Sequence, residues 1–364
     1  MTSKFQKIFT SDVCEAFEEM FRSALAQAEG DGLIKIAVFC YANSDAEYLQ
    51  NLAIIKQVVY EHFDSNTPLT SYISQKAYPA GVTIEATYAD LQHCTAVEWH
   101  DDYIVLESDG CTELITGGIL PCDTSKSTFG QSNEVFGKIG KILLSNGFLP
   151  SDICRQWNYI PGITVLHDGS QNYQEFNDAR SIFYAGSDWK GGYPAATGIG
   201  TTAGGVMVEL YAIKGTGYQS LPIDNPVQVA AHSYSQQVLD GKSVEQLGER
   251  TTPKFERARL LGNTIFISGT AAIKGECSNM STNTVEQAVE TMEIMNRLIA
   301  SDNIPVTNNG ARYDLLRVYV KRECDIPATR EYMQRHYPTV PKHYLVADIC
   351  RPELLIEIEG IAHI

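Results

Sequence analysis

The sequence predicts an α+β protein made of tandem units, in which helices pack on one face of mixed β-sheets. Strand and helix patterns recur in the same order, with a period of about 100–130 residues, along a chain of 364 residues. Residues 152–157 also align with residues 314–319, so that Arg155 matches Arg317. The predicted boundaries of the units are residues 1–90, 91–227 and 228–364.

The first unit is predicted to contain two helices and three strands. Residues 11–28 place apolar side chains at helical spacing, and Ser11 with Glu15 suits a helix start. Ser44 is a typical N-cap for a second helix that extends to about His62. Apolar runs predict strands over 33–41, 68–75 and 81–89.

The second and third units repeat this order after an opening hairpin. In the second unit the patterns predict strands over 102–107 and 111–118, a helix over 133–145, a strand over 153–160, a helix over 173–185 and closing strands over 193–200 and 206–213. In the third unit they predict strands over 255–260 and 264–268, a helix over 284–300, a strand over 315–320, a helix over 327–336 and a final hairpin.

The final hairpin contains the strongest candidate for chemistry. It is predicted as a strand over 346–350, a tight turn at 351–352 and a strand over 354–360. Because side chains alternate along a strand, Glu357 and Glu359 should share one face, away from the aliphatic residues. These carboxylates would be solvated on a half-exposed edge strand, or one of them would serve as a catalytic acid.

Composition limits the classes of function. The chain has 44% hydrophobic and 20% charged residues, which is typical of a globular protein. Its formal net charge of −16 argues against nucleic-acid binding, which needs a basic surface. A small anionic substrate needs only a few cations focused in one pocket, so that class of ligand stays open.

The sequence also lacks the signals of several other classes. No apolar run approaches the eighteen or so residues of a membrane span, and the acidic N-terminal region does not resemble a signal peptide. Nine cysteines without a C-x-x-C pair favour free thiols in a reducing cytoplasm. No nucleotide or zinc motif is present, so we expect chemistry without a metal or cofactor. The oligomeric state is left open between a monomeric pseudo-oligomer and a homo-oligomer.

The third unit resembles the YjgF/Rid family of imine deaminases, which includes proteins called endoribonuclease L-PSP and shares its fold with one type of chorismate mutase. The resemblance rests on residues 261–270, on the following helix and on residues 356–362. In that family a carboxylate at the position of Glu357 positions a water, and an arginine fifteen positions earlier holds the substrate. Here that earlier residue is Lys342, a weaker planar clamp, which argues against plain imine deamination.

A closer resemblance, over about residues 150–362, is to the chorismatase family of secondary metabolism. It rests on several ordered segments, namely 157–161, 175–180, 193–200, 224–229, 266–273 and 347–354, the last of which contains the motif Asp348-Ile-Cys-Arg-Pro. The resemblance implies cleavage of the enol-pyruvyl ether of chorismate to pyruvate plus a dihydroxycyclohexadiene carboxylate or a hydroxybenzoate. It also implies that the catalytic acid is the glutamate seven positions after the motif cysteine Cys350, which is Glu357.

Two further residues are assigned through the resemblance. Cys350 is expected to line the pocket, and the small residue Ala272 is expected to face the substrate ring, where alanine rather than glycine favours hydrolysis over aromatisation. A carboxylic acid at Glu357 must remain protonated near neutral pH, so burial should raise its pKa. The pocket is expected where the third unit meets the second.

The two carboxylates of such a substrate need cationic partners. Arginine suits them because it donates two parallel hydrogen bonds, and Arg155, Arg180 and Arg330 are the candidates, with Tyr159 as a neutral donor. Surface or ion-paired roles compete with binding for each arginine. The alternatives for the whole protein are a Rid-like hydrolase of reactive imines and a non-catalytic module that binds small carboxylic acids. The repeat-equivalent residues Glu85 and Glu209 are expected to be structural.

Overall fold

The computed structural model confirms the α+β class with mixed sheets. It describes residues 1–14, 16–63, 66–216, 218–239, 241 and 250–364, and within these ranges the chain forms three large sheets and six α-helices. Each sheet buries one face against its own pair of helices, for example around Phe21, Phe136 and Met292. The opposite faces meet at the centre of the molecule.

The first sheet comes from the N-terminal quarter of the chain. Its elements are β1 (Lys4–Thr10), α1 (Phe17–Gln27), β2 (Leu33–Phe39), α2 (Asp45–His62), β3 (Leu69–Ile73), β4 (Lys76–Tyr78) and β5 (Thr83–Ala89). The strand order is β1-β5-β2-β3, whereas β4 pairs with the third sheet. Ser44 caps α2 as predicted, because Glu47 N donates a hydrogen bond to its hydroxyl at 3.2 Å.

The second sheet has the order β6-β7-β8-β13-β9-β12. Its elements are β6 (Ala96–Trp99), β7 (Tyr103–Ser108), β8 (Cys111–Thr116), α3 (Thr128–Ser145), β9 (Ile153–Pro161), a ribbon of β10 (Leu166–His167) and β11 (Ser170–Gln171), α4 (Asn172–Tyr184), β12 (Ala195–Thr201) and β13 (Met207–Gly215). Helix α3 begins before the predicted residue 133, because the Ser127 hydroxyl accepts a hydrogen bond from Gly130 N and caps an earlier first turn.

The third sheet has the order β14-β15-β16-β21-β19-β20-β4. Its elements are β14 (Ser220–Ile223), β15 (Ala258–Leu261), β16 (Thr264–Thr270), a ribbon of β17 (Ile273–Lys274) and β18 (Cys277–Ser278), α5 (Thr284–Leu298), β19 (Arg312–Val320), α6 (Ile326–His336), β20 (Lys342–Val346) and β21 (Ile356–His363). Strand β14 belongs to this sheet although it precedes residue 228, the predicted start of the third unit. The unit boundaries proposed from the repeat remain predictions.

The three sheets share one topology. The series β1-β5-β2-β3, β8-β13-β9-β12 and β16-β21-β19-β20 correspond strand for strand, and only the last pair of each series is parallel. A pair of helices occupies the same place in the chain order of each series. The prediction of tandem units is therefore confirmed. Strand β21 lies between β16 and β19, so its glutamates are not on an edge strand.

Besides α3, two predicted elements differ from the structure. Helix α1 begins at Phe17 rather than near residue 11, since the Ser11 hydroxyl instead accepts a hydrogen bond from Val82 N at 3.1 Å. The strand predicted over 346–350 is wrong beyond Val346, where β20 ends. The chain there leaves its sheet and crosses to β12.

The second and third sheets are joined beside β21. Ala196 N on β12 donates a hydrogen bond to Ser268 Oγ at 2.8 Å, and Gly269 N donates to Thr197 Oγ1 at 3.0 Å. Gly200 N donates to the carbonyl of Asp348 at 2.9 Å, which fixes the crossing segment against β12. No helix in the described ranges is long and apolar enough to cross a membrane.

Candidate active site

Glu357 lies on β21 at the junction of the second and third sheets. Its residue surface is only 4% exposed, so the expectation of a sheltered carboxyl group agrees with its position. Gly269 on the neighbouring strand β16 gives the carboxyl group its space, because a Cβ atom there would lie 2.1 Å from Glu357 Oε1. Glu357 and Glu359 share one face of β21, as the strand alternation predicted.

The two glutamates of β21 have opposite electrostatic environments. Burial, followed by the negative charge of Glu359, raises the pKa of Glu357 to about 8 against an opposing effect of Arg155. Burial opposes ionisation of Glu359 as well, but the charges of Arg155 and Arg317 outweigh it and lower the pKa of that carboxyl. At pH 7 a carboxyl with a pKa of about 8 is protonated in about nine molecules of ten. Glu357 therefore has the protonation state of a general acid.

Glu357 faces a small cavity of about 70 Å³ between the second and third sheets. The walls come from helix α4, strands β12 and β16, the crossing segment and the chain before β15; they include Tyr173, Asn177, Gly198, Tyr234, Phe255, Ala271, Ile273 and Cys350. Burial raises the pKa of the Cys350 thiol to about 12, so this thiol is protonated near neutral pH. The site therefore combines a neutral acid with largely apolar and neutral polar walls.

Three arginines surround this cavity without an acidic partner. Arg257 and Arg351 line it directly. Arg180 lies behind Asn177, to whose Oδ1 its guanidinium donates a hydrogen bond at 2.5 Å. Arg180 is 2% exposed, its Nε has no hydrogen-bond partner among the described residues, and within those residues none of the three arginines forms an ion pair. Buried cations without counterions indicate a site for an anionic ligand.

Both arginines of the cavity wall are positioned by neutral oxygens. The guanidinium of Arg257 donates to the Tyr234 hydroxyl at 2.7 Å. Arg351 donates to the Glu276 carbonyl and to Ser278 Oγ, both at 2.9 Å. These bonds orient the guanidinium groups but leave their charges uncompensated, so each retains attraction for a carboxylate.

A second, larger cavity of about 750 Å³ does not include Glu357. Its cations Lys4, Lys35 and Arg317 are each paired with a buried glutamate. Uncompensated positive charge and a neutral acid occur together only at the smaller cavity among those described here, so the smaller cavity is the candidate active site.

The structure separates the predicted site residues into two groups. Glu357 and Cys350 line the cavity, and Arg180 lies one residue behind its wall. Ala272 is fully buried next to the wall, between lining residues Ala271 and Ile273, so its own side chain is not part of the described lining.

The other three predicted residues lie elsewhere. The charge of Arg155 is taken up by Glu359. The Tyr159 hydroxyl accepts a hydrogen bond from Arg317 at 3.1 Å in the central core rather than at the cavity. Arg330 lies in a shallow groove beside α6, over the ring of Tyr78 on the edge strand β4, and is not part of the lining of the cavity.

Sequence reasoning missed Arg257, Arg351 and Gly269. Arg351 was placed in the predicted turn but not assigned to the site, although its position next to Cys350 in the chorismatase-like motif was a usable signal. Arg257 reaches the cavity because the chain before β15 folds across the junction of two sheets, which no local pattern indicates. Lys342 donates to the carbonyls of Tyr337 and Val340 and does not line the cavity.

Comparison with known proteins shows the family of this chain. Residues 95–212 match the family model described as Chorismatase FkbO/Hyg5-like, N-terminal. A 3-hydroxybenzoate synthase from Streptomyces hygroscopicus is 31% identical over 275 residues, which is 70% of this chain and 77% of the relative. The chain belongs to the FkbO/Hyg5-like chorismatase family.

Two further relatives extend this result. A chorismatase from Streptomyces hygroscopicus is 33% identical over 224 residues, 57% of this chain and 61% of the relative. The crystal structure of a chorismatase aligns with 99% of this chain and 98% of its own, at 22% identity and a TM-score of 0.74. The fold of this family member is therefore that of a solved chorismatase over nearly its whole length, and the resemblance inferred from the sequence is confirmed.

Proposed function

We propose that this protein is an enzyme that cleaves the enol-pyruvyl ether of chorismate, releasing pyruvate and a dihydroxycyclohexadiene carboxylate. Membership of the chorismatase family supports an enzyme that acts on a chorismate-like substrate. The observation that carries the proposal is the combination, around one cavity, of a neutral buried acid, Glu357, with three arginines that form no ion pair within the described ranges, namely Arg257, Arg351 and Arg180.

This combination matches the chemistry of the substrate. Chorismate has two carboxylates, which need cations, and an enol ether, which needs a proton on its methylene carbon. Arg257 and Arg351 hold the carboxylates, and Arg180 adds positive charge from behind Asn177. Arg155 does not serve as a clamp, because Glu359 already neutralises it.

Catalysis begins with transfer of the Glu357 proton to the methylene carbon of the enol-pyruvyl group. The ether carbon becomes an oxocarbenium ion, and the Glu357 carboxylate stabilises that positive charge. Water attacks the cationic carbon and gives up a proton to Glu357, which regenerates the acid. The resulting hemiketal collapses to pyruvate and the free alcohol, so one water is consumed and no cofactor takes part.

The walls of the cavity determine which other reactions compete with attack of water on the oxocarbenium ion. The neutral thiol of Cys350 and the ring of Tyr173 both lie close enough to Glu357 to interact with its charge. A small cavity limits the number of water molecules near the cation, so the reaction outcome depends on how one water is admitted. The relative named 3-hydroxybenzoate synthase makes a hydroxybenzoate the product to be distinguished from the dihydroxy compound.

The test is incubation of the purified chain with chorismate. Pyruvate is followed continuously through reduction by lactate dehydrogenase, and the second product is identified by mass spectrometry. A dihydroxycyclohexadiene carboxylate supports the proposal, whereas a hydroxybenzoate would keep the chorismatase assignment but replace the product.

Two parallel assays address the other functions. Hydrolysis of an enzymatically generated imine without pyruvate release from chorismate would indicate a Rid-like hydrolase. A rise in melting temperature with chorismate, without any product, would indicate a binding module. Either result would overturn the proposed function.

A further inference from the structure

The three sheets carry a repeated pair of one basic and one acidic position. The basic residues are Lys35 on β2, Arg155 on β9 and Arg317 on β19, and the acidic residues are Glu85 on β5, Glu209 on β13 and Glu357 on β21. The register establishes the equivalence, because the acidic residues pair across their sheets with Ala37, Trp157 and Tyr319, each two positions after the basic residue. The central face of the molecule therefore has three equivalent sets of charges.

Two of these sets pair cyclically between sheets. Lys35 of the first sheet lies 3.2 Å from Glu209 of the second. Arg317 of the third sheet donates two hydrogen bonds, both of 2.7 Å, to Glu85 of the first. Continuing this cycle, Arg155 of the second sheet should pair with Glu357 of the third. A pair of this kind would ionise Glu357 and remove it as an acid.

The third pair is different because of Glu359. Arg155 forms its ion pair with Glu359 and not with Glu357. The Glu359 carboxylate also accepts hydrogen bonds from Tyr319 at 2.7 Å and Arg317 at 3.0 Å, and from the Thr197 hydroxyl. The four partners hold this carboxylate ionised and fixed in place.

No carboxylate occupies the corresponding position in the other two sheets. Glu359 pairs across its sheet with Arg317, and the residues that pair in the same way with Lys35 and Arg155 are Thr87 and Tyr211. An additional carboxylate is thus present only in the sheet whose repeated glutamate faces the candidate active site.

We propose that Glu359 is a positioning residue that takes Arg155 as its own partner and so leaves Glu357 free to act as a protonated acid. The effect of Glu359 on turnover rests on the proposed function, whereas the effect of Glu359 on the protonation of Glu357 does not. Glu359 itself does not line the cavity, so it acts on the substrate only through Glu357.

The other groups near Glu357 do not replace this effect. From α4 and the crossing segment, Tyr173 and Cys350 face Glu357, and burial raises the pKa of both, so they are neutral. Arg351 and Arg257 lie on other walls of the cavity and form the substrate subsite. From β12, Thr197 is uncharged and bonded to Glu359. The Arg155–Glu359 pair is therefore the nearby charge pair through which a single substitution can change the protonation of Glu357.

The test uses two substitutions with opposite expected effects. In Glu359→Gln, the negative charge that raises the pKa of Glu357 is lost while Arg155, which lowers it, keeps its charge, so the pKa of Glu357 should fall by about 1–3 pH units. In Arg155→Met, the attractive charge is lost while Glu359 keeps Arg317 and Tyr319, so the pKa of Glu357 should rise. The double variant should return towards wild type. Glu209→Gln, at the equivalent position of another sheet, is the control and should leave the titration of Glu357 unchanged.

Two readouts separate a positioning role from a merely structural one. The first is the protonated carboxyl band in infrared difference spectra, taken against the same chain carrying Glu357→Gln, as a function of pH. The second is the alkaline limit of pyruvate release, which should move to lower pH in Glu359→Gln in parallel with the band.

Each outcome has a defined meaning. An unshifted band in Glu359→Gln, or shifts of the same sign in both single variants, would overturn the inference. A lower rate with an unchanged alkaline limit would do the same, since it would show a structural role alone. If the wild-type chain releases no pyruvate, the proposed function fails, but the infrared titration still tests Glu359.

Discussion

Replacement of Glu357 by glutamine removes the transferable proton and keeps the shape of the side chain. We expect pyruvate release to fall by roughly 10²–10⁴-fold, the usual contribution of a general acid. The same variant should change the pH dependence of stability, because the pKa of Glu357 is raised from 4.5 to about 8 in the folded protein. Activity and stability thus report on one proton in two independent experiments.

The sign of the stability effect follows from proton linkage. Below pH 4.5 Glu357 is protonated in both the folded and the unfolded chain, so its contribution is constant. Between pH 4.5 and about 8 the folded chain retains a proton that the unfolded chain loses, and wild type loses about 1.4 kcal/mol per pH unit from this group. The loss amounts to about 5 kcal/mol above pH 8, as an upper bound. Glutamine does not titrate, so Glu357→Gln should gain stability relative to wild type as the pH rises.

The assay is urea unfolding of wild type and of Glu357→Gln at about pH 5, pH 7 and pH 9. These values lie on both sides of the raised pKa of Glu357. The difference between the two chains cancels the titration of all other groups. Glu209→Gln is the matched control, because it alters the repeat-equivalent glutamate outside the candidate site and should retain pyruvate release. A difference in unfolding free energy that stays constant with pH would refute the raised pKa, and near wild-type turnover would remove Glu357 from the mechanism.

Three further substitutions test the surroundings of the acid. Gly269→Ala would place a Cβ atom 2.1 Å from Glu357 Oε1, so kcat should fall by at least about 10²-fold while circular dichroism is unchanged; unchanged kcat would contradict the packing of the carboxyl group. Arg351→Met should raise KM for chorismate roughly 10- to 100-fold, whereas Arg330→Met in the groove beside α6 should not; equal effects would contradict the assigned subsite. Arg317→Met removes the arginine that pairs with buried Glu85, whereas Glu359 keeps Arg155, and the substitution should lower the unfolding free energy by about 3–5 kcal/mol in urea titrations; a loss under about 1 kcal/mol would show that the Arg317–Glu85 pair is solvent-screened.

The sequence was sufficient for features that depend on local patterns. The N-cap of α2 at Ser44, the alternation that places Glu357 and Glu359 on one face, and the alignment of Arg155 with Arg317 all agree with the structure. Each depends on residues close in the chain or on repetition of one pattern. The shared topology of the three sheets follows from that repetition.

Features that depend on packing between sheets were not predictable in this way. Arg155 was considered as a substrate clamp, yet it is neutralised by Glu359, 204 positions along the chain. The residue type of Arg330 suits a substrate clamp, but this side chain lies over Tyr78 in a shallow groove beside α6 and does not line the cavity. Conversely, Arg257 lies within the strand predicted over 255–260, but β15 begins only at Ala258, and Arg257 on the chain before it lines the site. The types of side chain in the site were predicted better than the individual arginines.

The three junctions between sheets show why only one of them forms a candidate active site. At two junctions a buried glutamate is neutralised by a buried base of the neighbouring sheet, which holds the sheets together but leaves no reactive group. At the third junction, Arg155 pairs with Glu359, so Glu357 forms no ion pair among the described residues and its burial favours the neutral acid.

The arginines at that junction, in contrast, are stabilised by negative charge. Arg180, Arg257 and Arg351 are left without acidic partners among the described residues, and a cluster of uncompensated cations destabilises the free protein. Ionised Glu357 would satisfy them but would remove the catalytic proton. In the proposed mechanism, a substrate with two carboxylates would neutralise the arginines while Glu357 keeps its proton, so binding and catalysis would depend on the same separation of charges. The arrangement therefore favours a dianionic substrate over a neutral imine.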